Sequence, residues 1–174
     1  LTPKEWIESA KKAINIGASL GKKVIIMSSS TGGTLSNYLT AENEAKNIIA
    51  AQFLYSPNFK IANPASFLLN NPWGLQILQQ VEGGNYHYIK GMSDESAPHW
   101  TTTYRIEGLV ALQDLIEETM TESTFEKIKS PVFIGYYYKN EAEKDKVVSI
   151  DAMKDFYEKI KTPENQKAII SFSE

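Results

Sequence analysis

The sequence contains no cysteine and only two histidines in 174 residues. Without cysteine, the chain has no thiol nucleophile, no structural disulfide and no zinc site built on cysteine ligands. Its apolar runs all fall short of the roughly 18 residues that a membrane span requires. Lys and Arg number 18 against 21 Asp and Glu, and they form no basic block, which argues against a nucleic-acid partner. We therefore expect a soluble protein, and we assign neither a metal nor a cofactor to it.

The length and composition predict a single domain, residues 1–174. A chain of 174 residues with a hydrophobic fraction of 42% is long enough and apolar enough to bury a substantial core. No signal peptide is visible, so the compartment stays open, with the cytoplasm slightly favoured. The oligomeric state stays open as well.

Apolar runs alternate with segments of helical periodicity along the chain. The first helix has a clear start signal, in which Thr2 is the N-cap and Glu5 completes a capping box. The alternation predicts an α/β fold, with a mostly parallel sheet flanked by helices. The first apolar run is not interrupted by polar residues, which predicts a strand buried on both faces. The four predicted strands are "KKVIIMS", "IIAAQFLYS", "SPVFIGYYY" and "QKAIISFS".

Residues 57–103 interrupt this alternation. The segment combines prolines, glycines and asparagines with many aromatic residues. It is too apolar for a disordered linker, so we expect an insertion of short helices and loops within the domain.

The turn after the first predicted strand reads "SSSTGGT", from Ser28 to Thr34. It lies at the carboxyl edge of the predicted sheet, where α/β proteins bind their ligands. Small residues stand two positions before and two positions after Ser30, at Ser28 and Gly32, as a serine on a sharp strand-to-helix turn requires. From these residues alone, three interpretations stay open: a nucleophilic serine, a loop that binds phosphate, or an ordinary polar turn.

Together with the later segment "SPVFIGYYYKNEAEKDKVVS", this turn resembles the α/β-hydrolase superfamily, in particular its lipase and carboxylesterase-like members. The resemblance covers nearly the whole chain. It implies that Ser30 is a nucleophile, that the Thr31 N–H lies in the oxyanion hole and that Asp145 orients a histidine. Without the resemblance, we would interpret Asp145 as a solvated loop carboxylate like Glu141 and Glu143.

The resemblance also assigns a role to residues 57–103, which are similar to the cap that covers the acyl pocket in many α/β hydrolases. Apolar side chains of this cap-like insertion, Trp73 and Trp100 among them, would then bind the acyl group of a small ester substrate. The alternative is that these side chains pack the insertion against the sheet. The resemblance thus implies a carboxylic ester hydrolase with an apolar acyl pocket.

The histidine that the family pattern requires is missing. In the family it follows the strand after the acid, but no histidine stands between "QKAIISFS" and the last residue, Glu174. His87 and His99 both lie in the insertion, and each is more readily a polar residue of that insertion than a general base. His99 is the better candidate of the two. The resemblance therefore implies a fragment of a longer hydrolase, without its N-terminal strands and its histidine-bearing loop.

Two other functions stay open at this point. The serine- and glycine-rich turn also resembles loops that hold sugar phosphates through hydroxyl and backbone N–H groups. The chain would then be a phosphosugar-binding or isomerase-like module. In the other alternative, it is a non-catalytic α/β-hydrolase-like binding protein whose exposed aromatic residues form an interface.

Overall fold

A computed structural model describes residues 2–43, 47–89, 95 and 97–173. Six helices and six strands are assigned in this part of the chain, with short 3₁₀ turns at Pro64–Leu68, Ala97–His99 and Glu164–Gln166. In chain order they are α1 Pro3–Leu20, β1 Val24–Ser30, α2 Thr31–Asn43, β2 Ile49–Pro57, α3 Gly74–Glu82, β3 Tyr86–Tyr88, β4 Thr103–Arg105, α4 Ile106–Thr119, α5 Glu122–Phe125, β5 Val132–Tyr137, α6 Ile150–Lys159 and β6 Lys167–Phe172.

The main sheet has four parallel strands in the order β1-β2-β5-β6. The strands follow one another across the sheet in a single direction. Right-handed crossover connections therefore put the intervening helices on the same face of the sheet. The predicted fold class, an α/β fold with a mostly parallel sheet flanked by helices, is confirmed.

The two faces of this sheet are covered differently. Along β1 the side chains alternate between half-buried and exposed, and Ile25 and Met27 are 64% and 71% exposed. The prediction that this strand is buried on both faces is wrong. The alternation shows that one face of β1 is partly covered and the other is exposed, and the helices α2 and α1 contact this strand.

The core lies between the helices and the face of the sheet that they cover. Three phenylalanines, Phe59, Phe125 and Phe156, form its centre, with ring centroids 4.4 to 5.9 Å apart. Phe156 comes from α6, which begins after Ser149, and the Ser149 hydroxyl accepts a hydrogen bond from the Ala152 N–H at 3.2 Å. Ser149 is thus the N-cap of this helix, and it anchors the loop before α6 to the core.

Helix α1 also begins as the sequence predicts. The Thr2 hydroxyl accepts a hydrogen bond from the Glu5 N–H at 3.3 Å, and the Glu5 carboxylate accepts one from the Thr2 N–H at 2.8 Å. The hydrogen bond from the Thr2 N–H lowers the pKa of Glu5. Within the part of the chain that the structure describes, no helix is both long and apolar enough to cross a membrane.

Between β2 and α4 the chain forms a separate layer of short elements. It contains α3 and two strands that the sequence did not predict, β3 and β4, which pair antiparallel with His87 opposite Tyr104. The layer packs through α3 against α4. The described part of this stretch contains short 3₁₀ turns, α3, loops and a small two-stranded sheet, and it ends where β4 leads into α4.

Candidate active site

The chain passes from strand to helix at Ser30 with no loop between them. Strand β1 ends at Ser30 and α2 begins at Thr31. Ser30 has a φ of 48°, in the left-handed region that residues with a side chain rarely adopt. A conformation of this kind costs on the order of 1–3 kcal/mol and persists only where the surrounding structure enforces it. The sharp turn that the sequence predicted is therefore present in the backbone.

Gly33 allows this turn to pack tightly. A Cβ atom on Gly33 would lie 2.5 Å from the Cβ of Pro57 and 2.9 Å from its Cα, so only glycine fits against the end of β2. A Cβ atom on Gly32 would lie 3.4 Å from the Cβ of Ser28. The small residues on either side of Ser30 thus face each other across the turn, at a distance where a Cβ atom on Gly32 would make an ordinary van der Waals contact.

The hydroxyl of Ser28 connects the strand to the helix. Its Oγ lies 3.1 Å from the Oγ of Ser36, and the Ser36 hydroxyl also donates to the carbonyl oxygen of Gly33 at 3.2 Å. The family pattern has glycine where this chain has Ser28. The extra hydroxyl is therefore accommodated by its hydrogen bond to Ser36, in the second turn of α2. The sequence did not predict this partner.

A buried hydrogen-bond chain attaches the turn to the residue after β2. The Asn58 N–H donates to the carbonyl oxygen of Ser30 at 3.0 Å, and the Thr34 hydroxyl donates to the carbonyl oxygen of Asn58 at 2.5 Å. Asn58 is 2% exposed and Thr34 is fully buried. These two hydrogen bonds fix the backbone of Ser30 relative to β2.

The Ser30 turn also provides backbone donors. The first N–H groups of an α-helix have no partner within the helix, and the helix dipole places partial positive charge at the same end. Helix α2 begins at Thr31, so its N-terminus directly follows Ser30. The arrangement can stabilise negative charge that develops on a carbonyl oxygen when the carbon of that carbonyl group becomes bonded to the Ser30 Oγ.

Asp145 lies in the loop after β5, with its backbone bonded to the end of that strand. Its N–H donates to the carbonyl oxygen of Tyr137 at 3.1 Å. Its Oδ1 accepts hydrogen bonds from the N–H groups of Val147 and Val148, at 2.9 and 3.1 Å. Among the described residues, Oδ2 has no hydrogen-bond partner. One oxygen therefore orients the carboxylate while the other is available to a further donor.

The other carboxylates of this loop are engaged elsewhere. The Glu141 carboxylate accepts hydrogen bonds from the Lys144 ammonium at 2.6 Å and the Tyr138 hydroxyl at 3.0 Å, which lower the pKa of Glu141. Glu143 pairs with Lys139 at 2.8 Å. These pairs close the exposed tip of the loop. Asp145 is half-buried, and it is thus distinguished from its exposed acidic neighbours by its position and by its contacts with the backbone.

A short segment, residues 57–62, connects the serine turn to the Asp145 loop. At one end it holds Ser30 through Asn58, as described above. At the other, the Ala62 N–H donates to Val147 O at 3.0 Å and Lys60 O accepts from the Ser149 N–H at 2.8 Å. Both turns lie at the carboxyl edge of the parallel sheet, on strands separated by one strand, which corresponds to about 10 Å.

The remaining predicted residues lie in the inserted layer. Trp73 and Trp100 are 72% and 55% exposed. His87 belongs to β3, and its Nδ1 lies 3.0 Å from an Oε1 atom of Glu82; His99 ends an exposed 3₁₀ turn. Among the described residues, no hydrogen bond or ring contact joins either tryptophan or either histidine to Ser30 or Asp145.

Two cavities lie at the opposite edge of the sheet. One, of about 270 Å³, is lined by residues at the start of β2, β5 and β6, including Ala51, Val132 and Lys167. The other, of about 480 Å³, is lined by Lys23, Ile49 and other residues at the start of β1 and β2. About 20 Å of strand separates this edge from Ser30. Neither cavity therefore forms a site with the serine turn.

No protein-family model matches the sequence, and no curated protein sequence matches it. Solved structures, in contrast, match nearly all of the chain. A structure from the metagenome-derived lipolytic enzymes LipS and LipT matches 99% of it, with a TM-score of 0.77 and 14% identity. The monoacylglycerol lipase of Paleococcus ferrophilus matches 99%, with a TM-score of 0.67 and 16% identity. A soluble variant of the Saccharomyces cerevisiae monoglyceride lipase matches 98%, with a TM-score of 0.63 and 11% identity.

At this level of identity the likeness defines the fold. The chain has the α/β-hydrolase fold, and the recognition of that fold from the sequence is confirmed. The chain covers 64%, 66% and 59% of the three matched chains, which is less than two thirds of each.

Proposed function

We propose that this chain carries the nucleophile and the acid of a serine hydrolase that acts on carboxylic esters. The observation that carries the proposal is the backbone of Ser30, whose φ of 48° coincides with an abrupt passage from strand to helix. A serine held in this way presents its hydroxyl above the carboxyl edge of the sheet, next to the N-terminus of α2. The α/β-hydrolase fold and the lipolytic enzymes among its structural neighbours support an ester substrate.

In the proposed reaction, the Ser30 Oγ attacks the ester carbonyl while a histidine takes its proton. The carbonyl oxygen becomes negatively charged, and the Thr31 N–H donates a hydrogen bond to it. The histidine then protonates the leaving alcohol, which gives an acyl-Ser30 ester, and water releases the acid by the same steps. Asp145 accepts a hydrogen bond from the histidine through Oδ2. We assign the base to a histidine outside these 174 residues.

The inserted layer is proposed to act as the cap. Trp73, Trp100 and neighbouring apolar side chains are exposed rather than packed in the core, so they are available to an apolar acyl group. A substrate that bridges the Ser30 turn and this layer would lose its contact with water on both sides. A change in the size of the acyl group would then affect binding more than a change in the size of the alcohol group.

Covalent labelling tests the proposal directly. A polypeptide that contains this chain and supplies the histidine should react with a fluorophosphonate at Ser30, and Ser30→Ala should abolish the labelling. Ser29→Ala is the matched control, because Ser29 is an exposed serine of β1 that lies before the turn. Labelling that persists in Ser30→Ala, or that is lost in Ser29→Ala instead, would exclude Ser30 as the nucleophile.

The N-terminus of α2 also favours a second candidate function, a phosphosugar-binding or isomerase-like module. Its first N–H groups and its partial positive charge suit a phosphate as well as an oxyanion. In this case millimolar phosphate or sugar phosphate should raise the Tm, since a ligand that binds only the folded state stabilises it. An unchanged Tm would count against this function.

A third candidate is a non-catalytic binding protein, and the exposed tryptophans favour it. A folded protein that carries the histidine but neither labels with a fluorophosphonate nor cleaves short p-nitrophenyl esters would support this function. Ester cleavage that depends on Ser30 would exclude it.

A further inference from the structure

We propose that Thr34 is a positioning residue for Ser30 and that it acts through Asn58. This inference rests on the proposed hydrolase function, because it assigns the residue that holds the nucleophile in place. Thr34 is fully buried, and its hydroxyl donates to the carbonyl oxygen of Asn58. The N–H of the same residue, Asn58, donates to the carbonyl oxygen of Ser30 at 3.0 Å.

The two hydrogen bonds close a ring around the strained residue. The ring runs from Ser30 along the chain to Thr34, through its hydroxyl to Asn58, and back to Ser30 through the Asn58 N–H. A left-handed backbone at a serine persists only while its surroundings enforce it. Removal of the Thr34 hydroxyl would leave the buried carbonyl oxygen of Asn58 without this donor, so Asn58 would shift and release Ser30.

The same shift would reach the acid. Asn58 begins the stretch that continues to Lys60 and Ala62, whose backbones are bonded to the loop of Val147 and Ser149. Ile61 and Val148 also form an antiparallel bridge. The peptide groups of Val147 and Val148 in turn hold the Asp145 carboxylate. Thr34 therefore acts on the separation between nucleophile and acid, although it touches neither side chain.

Helix α2 contains a matched control. Thr40 is also buried, at 5% exposure, but its hydroxyl donates to the carbonyl oxygen of Ser36 in the same helix, at 2.7 Å. Thr40→Val therefore removes a buried hydroxyl of the same kind without detaching Asn58. A structural role alone predicts similar consequences for the two substitutions, whereas a positioning role does not.

The first experiment measures the rate of fluorophosphonate labelling at Ser30, in the polypeptide that supplies the histidine, together with the Tm. We expect Thr34→Val to label roughly 10- to 100-fold more slowly, because small displacements of reacting groups have effects of this size. Thr34→Ser keeps the hydroxyl and should label within about threefold of the wild type. Thr40→Val should label at the wild-type rate even if its Tm falls as much as that of Thr34→Val.

The second experiment does not depend on catalysis. Amide hydrogen exchange at Asn58 should become about fivefold faster in Thr34→Val, since its ring of hydrogen bonds is opened, and stay unchanged in Thr40→Val. Should Thr34→Val be too unstable for this measurement, Thr34→Ala removes the same hydroxyl without a branched side chain. Unchanged exchange at Asn58 in both variants overturns the inference.

The outcomes separate this inference from the function on which it rests. A wild-type polypeptide that is not labelled at Ser30 overturns the hydrolase proposal, and the positioning role with it. A wild type that is labelled, with Thr34→Val reacting equally fast or with Thr40→Val slowed to the same extent, overturns the inference alone. Slower labelling in Thr34→Val only, restored by Thr34→Ser, supports both.

Discussion

The carboxyl edge of the sheet presents its two candidate side chains in opposite ways. Ser30 stands on a turn without a single loop residue, in a strained backbone and against a glycine that leaves no room for a Cβ atom. Asp145 stands in a loop between Tyr137 and Ile150, and its own carboxylate organises that loop by accepting two backbone hydrogen bonds. The surrounding packing and backbone hydrogen bonds keep Ser30 in its conformation, whereas the Asp145 side chain itself stabilises the conformation of its loop.

This difference determines how each turn responds to mutation. At the serine turn, the backbone and the packing of small residues carry the geometry, so the sensitive positions are those next to Ser30. At the Asp145 loop, one side chain carries both the loop structure and the proposed chemistry. Substitutions that separate these two contributions are therefore the sharpest tests of the comparison.

The largest effect on stability is expected at Gly33. Gly33→Ala forces a Cβ atom into the ring and backbone of Pro57, which cannot move without displacing β2, and should cost about 1–3 kcal/mol of unfolding free energy. Gly108→Ala is the control, because Gly108 is also helical but has open space around it. It should raise the stability by up to about 1 kcal/mol. Chemical denaturation of the two variants measures both, and equal effects would contradict the tight packing of the serine turn.

The second effect separates the two contributions of Asp145. Asp145→Ala removes the acceptor for two backbone N–H groups and should cost about 1–2 kcal/mol. Asp145→Asn keeps an oxygen at this position, so its stability should lie within about 0.5 kcal/mol of the wild type. Under the proposed function, Asp145→Asn should nevertheless label with a fluorophosphonate far more slowly, because an amide does not stabilise a histidinium. An Asn variant as unstable as the Ala variant would contradict the hydrogen-bond role.

A third test concerns the strain at Ser30. Glycine adopts a φ of 48° without penalty, so Ser30→Gly should be more stable than Ser30→Ala by roughly 1 kcal/mol. At the neighbouring Ser29, in the interior of β1, the order should reverse, because glycine weakens a strand. Thermal denaturation of these four variants checks the reversal. A Ser30→Ala variant at least as stable as Ser30→Gly would show that the backbone of Ser30 is not strained.

The smallest effect is expected at the tip of the Asp145 loop. Hydrogen bonds from Lys144, and then from Tyr138, lower the pKa of Glu141 in the folded state. The stabilisation from this pair is therefore complete above the unfolded-state pKa and is lost as the pH falls through the folded-state pKa. NMR titration should find a lower pKa for Glu141 in the wild type than in a Lys144→Met variant. The two backbone hydrogen bonds that the Asp145 Oδ1 atom accepts should not change in this variant.

Much of the fold was predictable because it depends on local patterns. The capping box at Thr2, the cap at Ser149 and the alternation of apolar runs with helices all act between residues close in sequence. The exposure of Ile25 and Met27 could not be predicted in this way. An apolar run has the same composition on a covered and an uncovered sheet face, and only the strand order decides which side the helices occupy.

The geometry of the candidate site was predictable in part. The spacing of Ser28, Ser30 and Gly32 indicated a sharp turn, since small residues are required wherever backbones approach closely. The same spacing contained no signal for Thr34 and Asn58, which are separated by 24 positions in the sequence. Nor could composition distinguish Asp145 from Glu141 and Glu143 without a family resemblance, because the distinction lies in which backbone N–H groups each carboxylate meets.

The sequence by itself determined the four strands of the main sheet, the long helices between them, their order and the position of the serine turn, because hydrophobic periodicity, caps and small residues act locally along the chain. Only the tertiary structure decided that the serine turn packs against the end of β2 and that the Thr34 hydroxyl attaches it there. It also decided which carboxylate stabilises the loop after β5. These contacts join residues that are distant in sequence, and their geometry depends on how all the strands align at one edge of the sheet.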